Sequence, residues 1–302
     1  MSTITTGNHP KNLWPGVYAH FGSSYDKHPQ FCREMFDIKT SKKAYEEIVE
    51  NTGFGLAAKK AQGASTLYDS RSQGSVTRFT HDTYSLGFVV TEEAIEDNLY
   101  SATALGEASS LALSMYTTKE IVAANVFNRA FDSNYTGGNG VEMISTAQVT
   151  LDGTQSNHLT IAADISEAAI EDMVIQMKKA KNSRGIEIAM MPQKLFVPVE
   201  LEFEAHRILK STLQSGTANN DDNALRSMGL IPGGIMGNPF LTDTDAWFIS
   251  TNVGNSLIGF QRRAVKFEKD NDFSTGNALA KAHERYVFSW ADWRGIFGSP
   301  GA

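Results

Sequence analysis

The sequence has few cysteines, no long apolar runs and no excess of positive charge, and each shortage excludes a class of protein. A single cysteine, Cys32, among 302 residues leaves no disulfide framework and no cysteine-based zinc site. No window reaches 18 successive apolar residues, so no membrane-spanning helix is predicted. Lys and Arg number 27 against 34 Asp and Glu, and the net charge of −7 disfavours bulk electrostatic binding to nucleic acid or to an anionic membrane.

The local motifs of catalysis and cofactor binding are also missing. The seven histidines have no metal-binding spacing, and neither an H-E-x-x-H nor a G-x-S-x-G motif occurs. The run Gly137–Gly140 lacks the Lys and Ser or Thr of a phosphate loop, so it is interpreted as a turn. The first 17 residues contain no basic segment followed by an apolar run, which predicts no signal peptide and synthesis in the cytoplasm. No enzyme activity, metal or cofactor is predicted.

What the sequence does contain is a mixture of helical and strand patterns without strict βαβ alternation, which favours an α+β fold. The first thirty residues show no periodicity and are interpreted as an extended arm. A short helix is predicted over Ser41–Glu50. A second helix is predicted from Ser166, where acids lie in the first turn and lysines in the last, and a third from Pro198 to about Leu213.

Residues 54–90 combine many glycines with strand patterning and are interpreted as a long hairpin. Alternation over Tyr84–Val90 predicts a half-buried strand, and Gly74 is placed in a turn. The middle, Asp69–Thr80, is polar and contains arginines, so it has little apolar surface to bury in its own subunit. Because isolated hairpins are marginal in water, this one is expected to lean on another part of the assembly.

A helix of about 31 residues is predicted over 101–131, more than twice the average length in globular proteins. Its apolar side chains recur at spacings of three and four and predict one buried stripe. The stripe contains Leu105, Ala108, Ala112, Met115, Val122 and Val126.

Four further segments form a pattern through their order and spacing rather than through any single motif. They are His81–Tyr100 (HDTYSLGFVVTEEAIEDNLY), Phe196–Ser211 (FVPVELEFEAHRILKS), Asn238–Phe248 (NPFLTDTDAWF) and Trp290–Ser299 (WADWRGIFGS). With the hairpin and the long helix, this pattern resembles the major capsid proteins of tailed bacteriophages, which have the HK97-like fold. The resemblance is closest to the major head subunits of Mu-like phages.

The resemblance implies an HK97-like capsid fold with an N-terminal arm, an extended hairpin (the E-loop), a long spine helix with a peripheral sheet (the P-domain) and a central axial domain (the A-domain). The implied regions are the arm with a short helix (1–53), the E-loop (54–90), the P-domain (91–162) with its spine helix over about 101–131, the A-domain (163–265) and a return to the P-domain (266–302).

The resemblance also implies where copies of the chain meet. In this family the arm and the E-loop reach over neighbouring subunits, and a loop of the A-domain lies near the centre of each hexamer or pentamer. The candidates for inter-subunit contact are Asp69, Arg71, Arg78, Lys59 and Lys60. The candidates for the axial tip are Asn220, Asp221 and Asp222. Lys59 and Lys60 lie near the base of the hairpin, so covalent cross-linking between subunits is not expected.

The implied function is that of a major capsid protein, a structural late protein of the virion that self-assembles as hexamers and pentamers into an icosahedral shell around double-stranded DNA. The implied partners are other copies of the chain, a separate scaffolding protein, a portal and a decoration protein, with weak non-specific contact to the packaged DNA and none to a membrane. Two alternatives remain at this point: an encapsulin-type nanocompartment shell, and a cytosolic α+β enzyme with a dispersed site.

Overall fold

The computed structural model describes residues 14–91, 93, 100–213, 222–272 and 274–302, and the chain divides into two compact units. Unit 1 contains the residues up to 44 with 80–123 and 259–287, and unit 2 contains 45–79, 124–258 and 288–302. The described helices are α1 (Trp14–Asp26), α2 (Cys32–Met35), α3 (Tyr100–Asn128), α4 (Glu167–Lys179), α5 (Glu202–Lys210) and α6 (Ala224–Ser227). The strands are β1 (Asp37–Thr40), β2 (Tyr45–Asn51), β3 (Gln73–Thr80), β4 (Asp82–Val90), β5 (Gln148–Thr150), β6 (Gly153–Gln155), β7 (Pro192–Pro198), β8 (Ile235–Asn238), β9 (Trp247–Thr251), β10 (Leu257–Asn271), β11 (Ala278–Trp290) and β12 (Ile296–Ser299).

Unit 1 is built on a four-stranded sheet in the order β1–β10–β11–β4. Strand β4 runs antiparallel to β11, with Val90 opposite Ala278 at one end and Asp82 opposite Tyr286 at the other. The alternation that predicts a strand over Tyr84–Val90 therefore belongs to this sheet. It is an edge strand, and Leu86 near its middle remains 50% exposed.

Helix α3 covers 29 residues, where a helix over about 101–131 is predicted, and extends for about 43 Å at 1.5 Å per residue. Ala108, Ala112 and Met115 are buried in one core cluster with apolar residues of β4, β10 and β11. Leu105 lies outside the residues whose side chains the structure describes. This stripe fixes the helix to the sheet of unit 1 because each member removes apolar surface from water.

Further along α3 the buried face differs from the predicted stripe. Val122 and Val126 are only half-buried, and the buried positions are Ala123, Ala124 and Phe127. Successive helical residues lie about 100° apart, so this turn of the buried face exceeds the drift of about 20° per heptad. It coincides with the point at which the chain passes from unit 1 to unit 2.

Two charged side chains are buried together between α3 and the sheet of unit 1. Glu284 on β11 is 1% exposed and accepts hydrogen bonds from Lys119 Nζ at 2.9 Å, the Tyr25 hydroxyl at 3.2 Å and Gln261 Nε2 at 3.3 Å. Burial and the neighbouring carboxylate raise the pKa of Tyr25, so its hydroxyl stays protonated and able to donate. Lys119, which interrupts the apolar stripe, is thus the partner of a buried acid.

A second buried carboxylate lies one residue further along α3. Glu120 Oε2 accepts the backbone N–H of Cys32 at 2.8 Å, and Oε1 has no hydrogen-bond partner among the described residues. Burial raises the pKa of Glu120 despite that hydrogen bond. Burial, followed by the influence of Glu120, raises the pKa of Cys32 to about 12, so the thiol is neutral and inaccessible.

The sequence interpretation of an extended N-terminal arm is corrected by the structure, because the described residues 14–36 fold within unit 1. Helix α1 buries Phe21 and Tyr25, which lie four residues apart on one face. The Phe21 ring lies 5.1 Å from that of Phe267 on β10. This i, i+4 aromatic pair was the missed signal, obscured by the glycine, serines and histidine around it. Residues 1–13 lie outside the described residues.

Unit 2 has its own four-stranded sheet in the order β12–β9–β7–β8, in which only β7 and β8 are parallel. Helix α4 begins where predicted, with the Ser166 side chain accepting the Ala169 N–H at 3.2 Å as an N-cap. It buries Ile170, Met173 and Met177 in a core cluster with residues of β7, β9 and β12.

The two compact units divide the chain at other points than the domain boundaries that the resemblance implies. The predicted P-domain includes 91–162 and 266–302, yet 124–162 and 288–302 belong to unit 2. The last strand, β12, pairs with β9 from Ile296 opposite Ser250 to Ser299 opposite Trp247. Such long-range pairing leaves no local trace in the sequence, so the predicted A-domain (163–265) lacks the strand that completes its sheet.

The prediction of a short helix over Ser41–Glu50 is wrong, because this segment contains strand β2. Glu46, Ile48 and Glu50 are half-buried and alternate with exposed neighbours, the period of a strand. Strand β2 pairs with β3 in a two-stranded sheet. Apolar residues at 44, 45, 48 and 49 fit a helix equally well, and tertiary pairing decides the outcome.

Candidate assembly surfaces

The hairpin formed by β2 and β3 ends in a segment, residues 53–72, that contains no described helix or strand. We call this segment the hairpin tip. Its large apolar side chains face solvent: Phe54 is 59% exposed, Leu56 80%, Leu67 75% and Tyr68 91%. Single exposed apolar residues are common on protein surfaces, but four in one loop that buries none of them within its own chain indicate a contact with another molecule.

The hairpin begins and ends earlier than the predicted range of 54–90. Strand β3 pairs with β2, whereas β4 belongs to the sheet of unit 1, so the hairpin covers residues 45–80. Gly74, predicted in a turn, lies in β3. A Cβ atom there would approach Glu50 Oε2 to 2.9 Å, so the glycine allows that side chain to cross the strand.

Arg78 makes its contacts across the two strands of the hairpin. Its Nε donates to Glu47 Oε1 at 2.8 Å and its Nη2 lies 2.7 Å from the same oxygen, while the guanidinium lies 4.2 Å from the centre of the Tyr45 ring. The Glu47 carboxylate raises the pKa of Arg78 further above its ordinary value. This predicted contact residue therefore has partners within its own chain.

The other predicted contact residues of the hairpin are all exposed, and Lys59 and Lys60 lie in the hairpin tip rather than near its base, where the sequence interpretation placed them. Arg71 and Lys59 have no hydrogen bond or ion pair within the part of the chain that the structure describes, and Lys60 Nζ lies 3.5 Å from Thr66 Oγ1. Asp69 differs from them because both of its carboxylate oxygens accept hydrogen bonds from groups of its own chain. Its pKa is lowered by the backbone N–H of Gly55, then by the side chain of Arg184.

Two arginines of unit 2 hold the hairpin. Arg184 donates to Asp69 Oδ2 at 2.7 Å, and Arg294 Nη1 lies 3.3 Å from Glu50 Oε1. Burial raises the pKa of Glu50, but the Ser183 hydroxyl and Arg294 outweigh that effect and lower it overall. Arg294 is 4% exposed, so this ion pair is shielded from water on its cationic side.

The sequence interpretation missed Arg184, Arg294 and Glu50, because their partners are more than 100 residues away in the chain. For Arg294 a signal existed in the segment Trp290–Ser299: an arginine among apolar residues that must be buried with it. For Arg184 the signal was weaker, namely an Asn182–Gly185 turn directly after a helix.

The predicted axial tip is only partly described. Asn220 and Asp221 lie outside the described residues, as do their neighbours from 214 onward. Asp222 is exposed and forms an isolated bridge with Leu213. The adjoining Asn223 is buried, and its side chain accepts the Arg226 N–H at 3.1 Å as the N-cap of α6.

Within the described ranges, no group of three or more His, Cys, Asp or Glu side chains is arranged to hold a metal ion. None of the helices in those ranges is long and apolar enough to span a bilayer.

Comparison with known proteins identifies one family and many related structures. The model of a phage capsid protein family matches residues 75–298. A search of curated proteins finds no sequence match. The matched range contains the larger part of each unit and most of strand β3, but not the residues up to 44, strand β2 or the hairpin tip.

Three solved structures illustrate the likeness. A virus-like particle from Pyrococcus furiosus superimposes with a TM-score of 0.54 at 9% identity, over 95% of this chain and 99% of that one. The capsid of Myoviridae phage XM1 gives 0.52 at 9% identity, over 90% and 92%. The procapsid of bacteriophage JBD30 gives 0.52 at 10% identity, over 96% and 74%. At such identities the likeness concerns the fold, and it confirms the predicted α+β, HK97-like fold.

Proposed function

The chain belongs to the phage capsid protein family, and from that membership we propose that it assembles as hexamers and pentamers into an icosahedral shell around double-stranded DNA. It is a major capsid protein, a structural component of the virion. The family match does not favour the nanocompartment shell that the sequence left open as an alternative.

The observation that supports self-assembly through the hairpin is the exposure of its tip. Leu56, Leu67 and Tyr68 are at least three-quarters exposed, although burying each would contribute about 1.5–3 kcal/mol. A neighbouring subunit that covers the tip recovers this free energy in every copy of a closed shell. Arg71, Lys59 and Lys60, exposed beside these residues, are proposed to contact the same neighbour.

The units correspond to the family's domains in this proposal. Unit 1, with helix α3 and its sheet, is proposed as the P-domain, and unit 2 without the hairpin as the A-domain. The loop containing Asn220, Asp221 and Asp222 is proposed as the axial tip near the centre of each hexamer or pentamer. Residues 1–13 are proposed as the part of the arm that reaches a neighbour.

The finer assignments rest on the sequence resemblance. We propose that the chain is closest to the major head subunits of Mu-like phages and that it has no enzymatic activity. Its proposed partners are a scaffolding protein and a portal during assembly, a decoration protein on the shell and packaged DNA through weak, non-specific contacts. Synthesis is proposed in the host cytoplasm. The net charge of −7 is compatible with enclosing DNA without binding it tightly.

The experiment compares the parent protein with Leu67→Ser/Tyr68→Ser by analytical ultracentrifugation and negative-stain electron microscopy. The parent is expected to form capsomers or closed particles, and the tip variant to remain as smaller species. Ile161→Ser is the matched control, because Ile161 is 79% exposed but lies in the body of unit 2. Small compact oligomers of the parent under all assembly conditions would contradict the proposed function.

A further inference from the structure

Arg184 lies on a rigid turn directly after helix α4. The Asn182 side chain accepts the backbone N–H groups of Arg184 at 2.9 Å and of Ile186 at 3.0 Å. Gly185 has a φ of +77°, in the left-handed region that favours glycine. The direction in which the Arg184 side chain leaves the body is therefore determined by the turn.

The guanidinium of Arg184 contacts both ends of the hairpin tip. Nη1 donates to the carbonyl oxygen of Gly53 at 3.2 Å, where the tip begins, and to that of Ser70 at 3.1 Å, where it ends. The same group binds Asp69 through Nη1 at 2.7 Å and Nη2 at 3.3 Å. We call this set of contacts the Arg184 clamp.

Asp69 closes the tip from its other side. Its Oδ2 accepts the Gly55 N–H at 2.7 Å and its Oδ1 accepts the Ser70 N–H at 2.8 Å. The carboxylate thus joins the entering chain, the leaving chain and Arg184. An exposed ion pair by itself contributes little to stability, but bidentate geometry with shared backbone partners fixes an orientation.

A second set of contacts holds the base of the hairpin, where the tip joins the paired strands β2 and β3. Glu50 of β2 accepts a hydrogen bond from Ser75 of β3 at 3.0 Å and pairs with the buried Arg294 at 3.3 Å. Arg294 also donates to the carbonyl oxygen of Lys181 at 3.1 Å and to Ser183 Oγ at 3.0 Å. The base is therefore fixed independently, and the Arg184 clamp acts on the tip alone.

We propose that Arg184 is a positioning residue for shell assembly: it fixes the direction in which the hairpin tip leaves its own subunit, and the contact with the next subunit depends on that direction. The proposal rests on the proposed function, in which the tip is covered by a neighbour. It assigns to Arg184 no direct contact with that neighbour. Its effect on assembly arises from preorganisation, because an unclamped tip must be ordered again at every contact.

The test replaces Arg184 with glutamine and uses Arg226→Gln as the matched control, an exposed arginine of unit 2 away from the hairpin. Hydrogen exchange followed by mass spectrometry reports on peptides covering residues 53–72. We expect several-fold faster exchange there in Arg184→Gln, a melting temperature within about 4 °C of the parent, and fewer or misshapen particles. Arg226→Gln is expected to match the parent in the exchange of residues 53–72 and in melting temperature; particles are compared between Arg184→Gln and the parent, because α6 adjoins the proposed axial tip.

Normal particles at normal yield from Arg184→Gln would overturn the proposal, as would unchanged exchange of the tip. If Arg184→Gln lowers the melting temperature substantially, Asp69→Asn provides the second variant, because it removes the carboxylate partner and leaves the arginine in place. Normal assembly of Asp69→Asn would then overturn the proposal. Failure of the parent itself to form shells contradicts the proposed function, which distinguishes the two failures.

Discussion

Unit 1 and the hairpin tip differ in the side chains that they bury and expose. Unit 1 encloses Glu284, Lys119 and Glu120, whereas the hairpin tip leaves Leu56 and Tyr68 in water. Removing the partner of a buried charge strongly destabilises the fold. Removing an exposed apolar side chain has little effect on the fold, because that side chain makes few contacts within its own subunit. Under the proposed function, this difference separates the contacts that stabilise one subunit from those that join subunits, and the following perturbations test that separation.

The largest loss of stability is expected from Glu284→Gln. The change removes the buried carboxylate that pairs with Lys119, whose side chain is 12% exposed, and is expected to lower the free energy of unfolding by about 3–5 kcal/mol. Urea denaturation measures the effect. Glu120→Gln is the control. Burial raises the pKa of Glu120, so its ionisation costs stability once the pH rises above the ordinary pKa of a glutamate. A neutral side chain at this position is therefore expected to change the free energy of unfolding by less than about 1 kcal/mol at neutral pH. Equal losses in both variants would contradict the pairing of Lys119 with Glu284.

A cavity in the α3 stripe comes next. Met115→Ala is expected to lower the free energy of unfolding by about 2–5 kcal/mol, because Met115 is 3% exposed within the core of unit 1. Leu113→Ala on the same helix is the matched control: Leu113 is 47% exposed, and its loss should be within about 0.5 kcal/mol of zero. Similar losses at 113 and 115 would show that the stripe is placed incorrectly.

Acid is expected to loosen the hairpin. The pKa values of Asp69 and Glu50 lie below their ordinary range in the folded chain, so their contribution to stability is complete above about pH 4 and is lost as the pH falls through the lowered values. Hydrogen exchange of residues 45–79, corrected for the intrinsic rate, should accelerate below about pH 4. In Asp69→Asn/Glu50→Gln this acceleration should disappear, and its persistence would exclude these two carboxylates as the cause.

Replacing residues 56–67 with a short Gly-Ser linker is expected to have the smallest effect on the stability of the subunit and the largest effect on assembly. The tip buries none of its large apolar side chains within its own chain, so the free energy of unfolding should change by less than about 0.5 kcal/mol. Shell formation, followed by sedimentation, should fail. An unfolded product would contradict the separation of the two regions.

The sequence predicted the parts of this fold that have a local period. The α3 helix, the α4 helix with its Ser166 cap and the alternation of β4 all have such patterns. The errors lie where a distant partner decides the outcome. Residues 45–51 become a strand because β3 is available to pair with them, and residues 288–302 join unit 2 because β12 pairs with the side of β9 that β7 leaves free.

The inter-subunit contact of the hairpin stays a prediction, and the structure revises the partners expected for two of its residues. A polar, arginine-containing hairpin indicates contacts outside its own core, yet Arg78 and Asp69 pair with residues of their own chain. The pairing of Asp69 with Arg184, across 115 residues, leaves no spacing that a sequence motif could record.

The lone cysteine has a practical consequence for labelling chemistry. Cys32 is 1% exposed with a pKa raised to about 12, so maleimides and other thiol-directed reagents meet almost no thiolate at neutral pH. A cysteine introduced at Lys59, on the exposed tip, would then be the single reactive thiol of each subunit. A fluorophore or spin label attached there would report on the tip before, during and after shell closure without removing the native cysteine.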